Sequence, residues 1–357
     1  MLGFHFAVAF WIHQDVSAGL ARRDPLYRGD AGAPTFARAL AWLPIDFAAL
    51  GVSLFFLLSG YVIAISLDRY SRRGFLIGRC MRVLPTYAAG YLVTCGVIWA
   101  VSDPGRELSV GSVLAGSVPG LQFLIGTTTP GDGIVWTLII ELVFYAVCLV
   151  TYRMLTRRWQ VITAVALACA ATQWLLDPSP LGSPQAGLRY VLLLACPFVP
   201  VMLVGVVLSA HRRGNLSRLS ASLLVPLLAA THLTLASTTK VVPTSLEYRL
   251  TFVATIAIFT TICTIRDGWR RHAVADFFAD ISYPLYVVHP VLGYALLSVM
   301  TAHGVPAPVA VLAAAGVVMS AAWLLHKLVE APTHHLGQRW ARSIAYLPAA
   351  DPTPAQT

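Results

Sequence analysis

Charged side chains are scarce in this chain. They make up 11% of its 357 residues, against about 25% in an ordinary soluble domain. Apolar residues reach 57%, more than a water-soluble fold of this size can hide. Long polar segments are missing too, which excludes a separate soluble domain: the longest polar stretches lie near 21–43 and 102–133. Residues 1–345 therefore read as one integral-membrane domain, and 346–357, rich in Pro and Ala, as a disordered tail. The six cysteines, Cys80, Cys95, Cys148, Cys169, Cys196 and Cys263, all fall in or beside apolar segments, which argues against a disulfide framework. No basic segment precedes the first apolar stretch, so Leu2 to Ile12 does not read as a cleaved signal peptide. No internal repeat is visible, whereas many secondary transporters are built from repeats. The net charge of +9 would suit nucleic acid, but the basic residues sit in short clusters between apolar runs, so no nucleic-acid partner is expected.

What is present is a series of apolar runs. A helix needs roughly 20 mostly apolar residues to cross about 30 Å of hydrocarbon. By that rule the sequence predicts an all-α, polytopic bundle of about ten transmembrane helices, near 2–20, 44–66, 83–101, 134–152, 160–176, 189–210, 219–237, 247–265, 281–301 and 306–326. Placing both termini in the cytoplasm puts seventeen Lys and Arg residues on the inner side and eight on the outer side, as the positive-inside rule requires. The expected setting is a bacterial cytoplasmic membrane.

Ionisable groups inside such helices cost several kcal/mol and are functional candidates by default. His13, followed by Gln14 and Asp15, lies toward the outer end of the first segment, about 10 Å deep at 1.5 Å per residue. It reads either as an interfacial histidine or as part of a functional site. Glu141 lies in an apolar helix at a similar expected depth of about 10 Å, with Tyr145 one turn further on the same face. Equal depth suggests a site shared by His13 and Glu141. Arg79 and Arg82, three apart, share a helix face at the inner boundary. Their guanidinium groups suit either phosphate recognition or a plain topology signal. His289, between Pro284 and Pro290, falls near mid-membrane, as a functional group or as a buried histidine joining two helices. Gly51 and Gly60 bracket the second span and indicate close helix packing.

Taken in order, these segments resemble acyltransferase family 3, the bacterial membrane O-acyltransferases. The resemblance rests on His13, on Gly51 to Gly60 with its Ser59, and on Arg79 to Tyr87. It continues through Trp136 to Tyr145, Ser282 to His289 (Ser282, Tyr283, Tyr286 and His289), and Glu330-Ala-Pro332. One position departs from the pattern: the family usually has an arginine eleven residues before the first-helix histidine, and here Leu2 stands there. Either further residues precede this stretch or the basic partner comes from elsewhere.

The resemblance implies a standalone enzyme with acyl-CoA, acetyl-CoA above all, as cytoplasmic donor. It implies no metal, and a carbohydrate or glycosylated small molecule as acceptor, within membrane lipid. Arg79 and Arg82 would hold the nucleotide phosphates, and His13 would act as general base with Glu141 or Asp15 orienting it. Trp136 and Tyr145 would line the site, with Ser59, Ser282, Tyr283, Tyr286 and His289 around the substrate. A transporter or flippase with a polar cavity lined by His13, Glu141 and His289 is the competing reading.

Overall fold

A computed structural model describes residues 2–29, 32–106, 108–121, 133–176, 187–239, 245–265 and 272–345. The tail 346–357 and the basic residues Lys240, Arg266, Arg270 and Arg271 lie outside the described residues. All regular structure among the described residues is helical. In chain order, apart from the single turn Met154–Arg157, the helices are α1 (Leu2–Ile12), α2 (Gln14–Leu20), α3 (Thr35–Ala41), α4 (Phe47–Arg69), α5 (Arg72–Val101) and α6 (Val110–Gly116). Then come α7 (Val135–Thr151), α8 (Trp159–Leu175), α9 (Leu188–Ala195), α10 (Val199–Arg212) and α11 (Arg218–Thr239). The last four are α12 (Leu246–Thr264), α13 (Ala273–Ala302), α14 (Ala307–Leu325) and α15 (Ala331–Ala345).

Every apolar run read from the sequence coincides with a helix or a broken pair. Among the described residues six helices are long and apolar enough to cross a membrane, or seven if α9 and α10, bent by 49°, count as one span; α1, α7 and α8 are shorter apolar helices. The protein is a polytopic helical membrane bundle.

Three expectations need correction. The first run, expected as one span over 2–20, breaks at His13, whose backbone (φ −112°, ψ 56°) is not helical. Segment α1 contains a π-helical turn over His5–Ala9. Polar side chains relieve the break, because Gln14 and Ser17 donate to the Phe10 carbonyl at 2.6 and 3.1 Å. The third span, expected over 83–101, begins at Arg72, so Arg79 and Arg82 ride on the spanning helix itself, whose start is capped by Ser71. The last two spans are also longer than expected. Hydropathy ends where charge begins, but backbone hydrogen bonding does not. The rod Ala307–Ile344 has 38 residues, about 57 Å at 1.5 Å per residue and far more than the hydrocarbon needs.

Helix α10 occupies the centre, and every residue from Val199 to Ala210 is buried. Its approach to α4 depends on two glycines. A Cβ on Gly60 would fall 1.9 Å from the Met202 carbonyl oxygen, and one on Gly205 would fall 2.1 Å from that of Leu57. Both obstacles are backbone atoms. In lipid, where helix association relies on close packing, the two backbones can touch only without side chains here. The α9–α10 bend contains Pro197, which has no N–H to give. Its own carbonyl accepts from His232 Nδ1 at 2.7 Å, so a neighbouring helix satisfies a group the bend sets free.

Gly60→Val and Gly205→Val should each lower the thermal unfolding midpoint in detergent sharply, since overpacking costs about 1–3 kcal/mol even where side chains can yield. Gly96→Ala, at a position where nothing lies within 4 Å of the added Cβ, should leave the midpoint unchanged or slightly raised.

Candidate active site

The arginine-rich end of the bundle holds a cavity of about 210 Å³ between α4, the first turns of α5 and α15. Arg69, Arg79 and Arg82 line it with Ser66, His334 and Gln338. Arg79 donates to Ser66 Oγ at 2.7 Å, and its guanidinium lies 5.9 Å from the rings of both Phe75 and Tyr145. Arg82 is paired through Nε with Glu330 Oε1 at 3.5 Å. That carboxylate, almost fully buried, also meets His326 Nδ1 at 2.8 Å. Glu330 closes a π-helical stretch, His326–Glu330, between α14 and α15. Such bulges are frequent at functional sites because the extra residue re-aims side chains. Arg69 is the last residue of α4, and its neighbour Asp68 anchors that end by accepting from Arg213, Thr156 and Asn215.

Directly beyond the guanidiniums lies Glu141, buried on α7. Tyr145, one turn on, donates to Glu141 Oε1 at 2.7 Å, and the Ser59 hydroxyl stands beside the carboxylate. Tyr283 donates to the Val83 carbonyl at 3.0 Å and shares the electrostatic surroundings of Glu141, Glu330 and Arg82. Higher on the same two helices, Tyr286 and Thr137 share a hydrogen bond at 2.5 Å, and the Tyr286 ring stacks on Phe55 at 5.5 Å. His289 is fully enclosed next to this layer. Its Nδ1 donates to the carbonyls of Tyr286 and Leu285, and its ring meets His5 edge-on at 4.7 Å. His5 in turn shares a hydrogen bond with the Tyr294 hydroxyl at 2.6 Å.

At the opposite end lies a larger cavity of about 520 Å³, lined by α1, α3, the start of α4, Trp136, Phe198 and Tyr248. His13 lines it, on the exposed residue where the first helix breaks. The break frees the imidazole from a regular helical face and turns a membrane segment into a rim. Asp46, which caps α4 by accepting from Ala49 N at 2.8 Å, and Ser53 add polar groups to a wall that is otherwise apolar. The two cavities share no lining residue. Between them stands an aromatic layer in which Phe56, Trp136 and Phe198 pack with centroids 5.2–6.4 Å apart.

The expected residues therefore divide into groups. Arg79, Arg82, Glu141, Tyr145, Ser59 and Tyr283 come together at or just above the arginine cavity, Tyr286 and His289 lie in the middle, and His13 and Trp136 meet at the far cavity. His13 lines the larger cavity, and Glu141 is not part of its lining. Trp136 reaches the far cavity, and Glu141 lies five residues deeper, about 7.5 Å along α7, while the break at His13 invalidates a uniform depth count. Asp15 is exposed and makes no hydrogen bond to His13. Ser282 is exposed and donates to Ala279 of its own helix at 2.8 Å, away from the cluster. Arg69, one of the seventeen basic residues of the inner side, lines the arginine cavity with Ser66, His334 and Gln338, and Asp46 and His5 likewise stand outside the motifs. The i, i+3 spacing of Ser66 and Arg69 on one helix face was the available sign for two of them.

The sequence profile of a family described as an acyltransferase domain matches residues 24–327. Acyltransferase MdmB of Streptomyces mycarofaciens is 28% identical over 353 residues, covering 87% of this chain and 87% of its own. No solved structure matches.

Glu330→Ala should destabilise the protein by about 2 kcal/mol, because it leaves the Arg82 and His326 side chains without their shared acceptor. A double-mutant cycle with Arg82→Ala, read by unfolding in detergent, should show the two losses to be strongly non-additive.

Proposed function

The chain belongs to acyltransferase family 3 and is an enzyme that transfers acyl groups, and from that premise we propose that it carries an acyl group, acetyl above all, from cytoplasmic acyl-CoA to a hydroxyl on the far side of a bacterial cytoplasmic membrane. The observation that carries this reading is the pairing of two cavities at opposite ends of one bundle. One presents three guanidinium groups, the other an imidazole.

Arg69, Arg79 and Arg82 suit the several phosphate charges of coenzyme A, which arginine meets through charge-assisted, forked hydrogen bonds. Their end of the bundle is the one the positive-inside rule assigns to the cytoplasm. The pantetheine arm follows the line of polar side chains along α7 and α13, past Tyr145, Glu141 and the Thr137–Tyr286 pair. It enters the far cavity by parting the Phe56–Trp136–Phe198 layer. There the acceptor hydroxyl attacks the thioester carbonyl while His13 takes its proton. The C–S bond breaks, and the thiolate of coenzyme A leaves and takes a proton in turn. General-base assistance of this kind is worth about 10²–10⁴-fold. Glu141 and Tyr145 line the donor channel in this scheme, and neither they nor Asp15 orient His13. The acceptor is a cell-surface glycan or a glycosylated small molecule. The transport reading that the buried polar groups left open gives way to the family assignment.

Membranes holding the protein, incubated with radiolabelled acetyl-CoA and extracts of surface glycans and metabolites, should yield a labelled ester, identified by mass spectrometry. His13→Ala should abolish the label while the protein still inserts. Arg69→Ala, Arg79→Ala and Arg82→Ala should each raise KM for acetyl-CoA about tenfold or more, as loss of a charged hydrogen bond implies. Full labelling by His13→Ala would remove the imidazole from the mechanism, and unchanged KM values would return the arginines to topology signals.

A further inference from the structure

Tyr248 belongs to none of the motifs above, yet it forms part of the wall of the His13 cavity. Behind it lies His232, 1% exposed, with its Nδ1 2.7 Å from the Pro197 carbonyl and its Nε2 2.8 Å from the Tyr248 hydroxyl. A carbonyl oxygen can only accept, so Nδ1 carries the proton and donates. The surroundings favour the neutral ring, since Phe252 and Phe198 lie 4.3 and 5.4 Å away between centroids and a charged ring is costly among them. In neutral imidazole the second nitrogen accepts. Tyr248 therefore donates its only proton to His232, and its oxygen keeps nothing but lone pairs for any other partner.

The same cavity holds the Asp46 carboxylate, one oxygen of which is used by Ala49 N–H, and the His13 imidazole. Beside these acceptors stand the Ser53 hydroxyl and the Trp136 indole N–H, among apolar walls such as Phe4 and Val52. Acceptors on a protein recognise donors on a ligand, and apolar walls recognise C–H faces. A molecule that offers both is hydroxylated carbon. The reacting hydroxyl has one proton, which goes to His13 in the reaction proposed above. It cannot also serve Tyr248.

We propose that Tyr248, fixed by the Pro197–His232 pair, binds the acyl acceptor by taking a hydrogen bond from a second hydroxyl, next to the one that is acylated. His232 is the positioning residue for this contact. The inference rests on the acyl-transfer reading and adds to it a specificity-determining residue. Tyr248→Phe keeps the ring and the Pro197–His232 bond but takes the donor from His232 Nε2, so a merely structural role is told apart by which KM moves.

The test uses purified full-length protein, radiolabelled acetyl-CoA, and the acceptor recovered as the labelled ester of the membrane assay. Tyr248→Phe should raise KM for the acceptor about tenfold, the size expected for one neutral hydrogen bond at the upper end of its range. KM for acetyl-CoA should stay unchanged, and the unfolding midpoint should fall only as far as the loss of one buried hydrogen bond implies. His232→Leu should reproduce the acceptor effect, and the double variant should be no worse than either single one. An acceptor lacking the neighbouring hydroxyl should be bound worse by the wild type and equally well by Tyr248→Phe. An unchanged acceptor KM in Tyr248→Phe, or equal rises in both KM values, overturns the inference alone. Absence of any labelled ester from the wild type overturns the acyl-transfer reading and this inference with it.

Discussion

Within hydrocarbon there is no water to complete a hydrogen bond, so each polar group must find its partner in the protein. That constraint accounts for most of what is specific in this bundle. Glu141 meets Tyr145, Glu330 meets Arg82 and His326, and His289 turns back to its own helix. The bend at Pro197 is tolerated because His232 reaches across to it. A bundle that had only to be stable would fill these places with leucine. Here they gather along a line between two cavities.

Packing supplies the frame for that line. The contact of α4 and α10 through Gly60 and Gly205 brings two backbones together and fixes the far end of α4, where Asp46 and Ser53 face the larger cavity, relative to Arg69 at its other end. Helix α15 lies against the start of α5, with Gly337 against Met81 and Gly74 against Ala341, and so roofs the arginine cavity. The π-helical stretch at Glu330 is the joint that lets the rod cross α5 and still place a carboxylate on Arg82.

Much of this was legible in the sequence, because the signal for a membrane helix is local. The apolar runs marked every long helix, and the i, i+3 spacing of Arg79 and Arg82 placed both on one cavity wall. What escaped were matters of tertiary geometry. The break at His13 depends on side chains of Gln14 and Ser17 turning back to Phe10, which an apolar run with a polar end does not disclose. Depth counted along an ideal helix does not survive a break, and His13 lines a cavity to which Glu141 does not contribute. His232 and Tyr248 lie sixteen residues apart on different helices, and Pro197 lies thirty-five before His232. No spacing rule links them. Ser282 shows the converse: it stands in a motif yet faces outward, bonded to its own helix.

The central claim is that donor and acceptor enter from opposite ends and meet at the imidazole. A structure of the protein with a non-hydrolysable acetyl-CoA analogue tests it most directly. The account predicts the nucleotide phosphates against Arg69, Arg79 and Arg82, the pantetheine arm running past Glu141 through a parted aromatic layer, and the acyl carbonyl beside His13. A nucleotide seated in the His13 cavity, or an arm that leaves the arginines without entering the bundle, would contradict it.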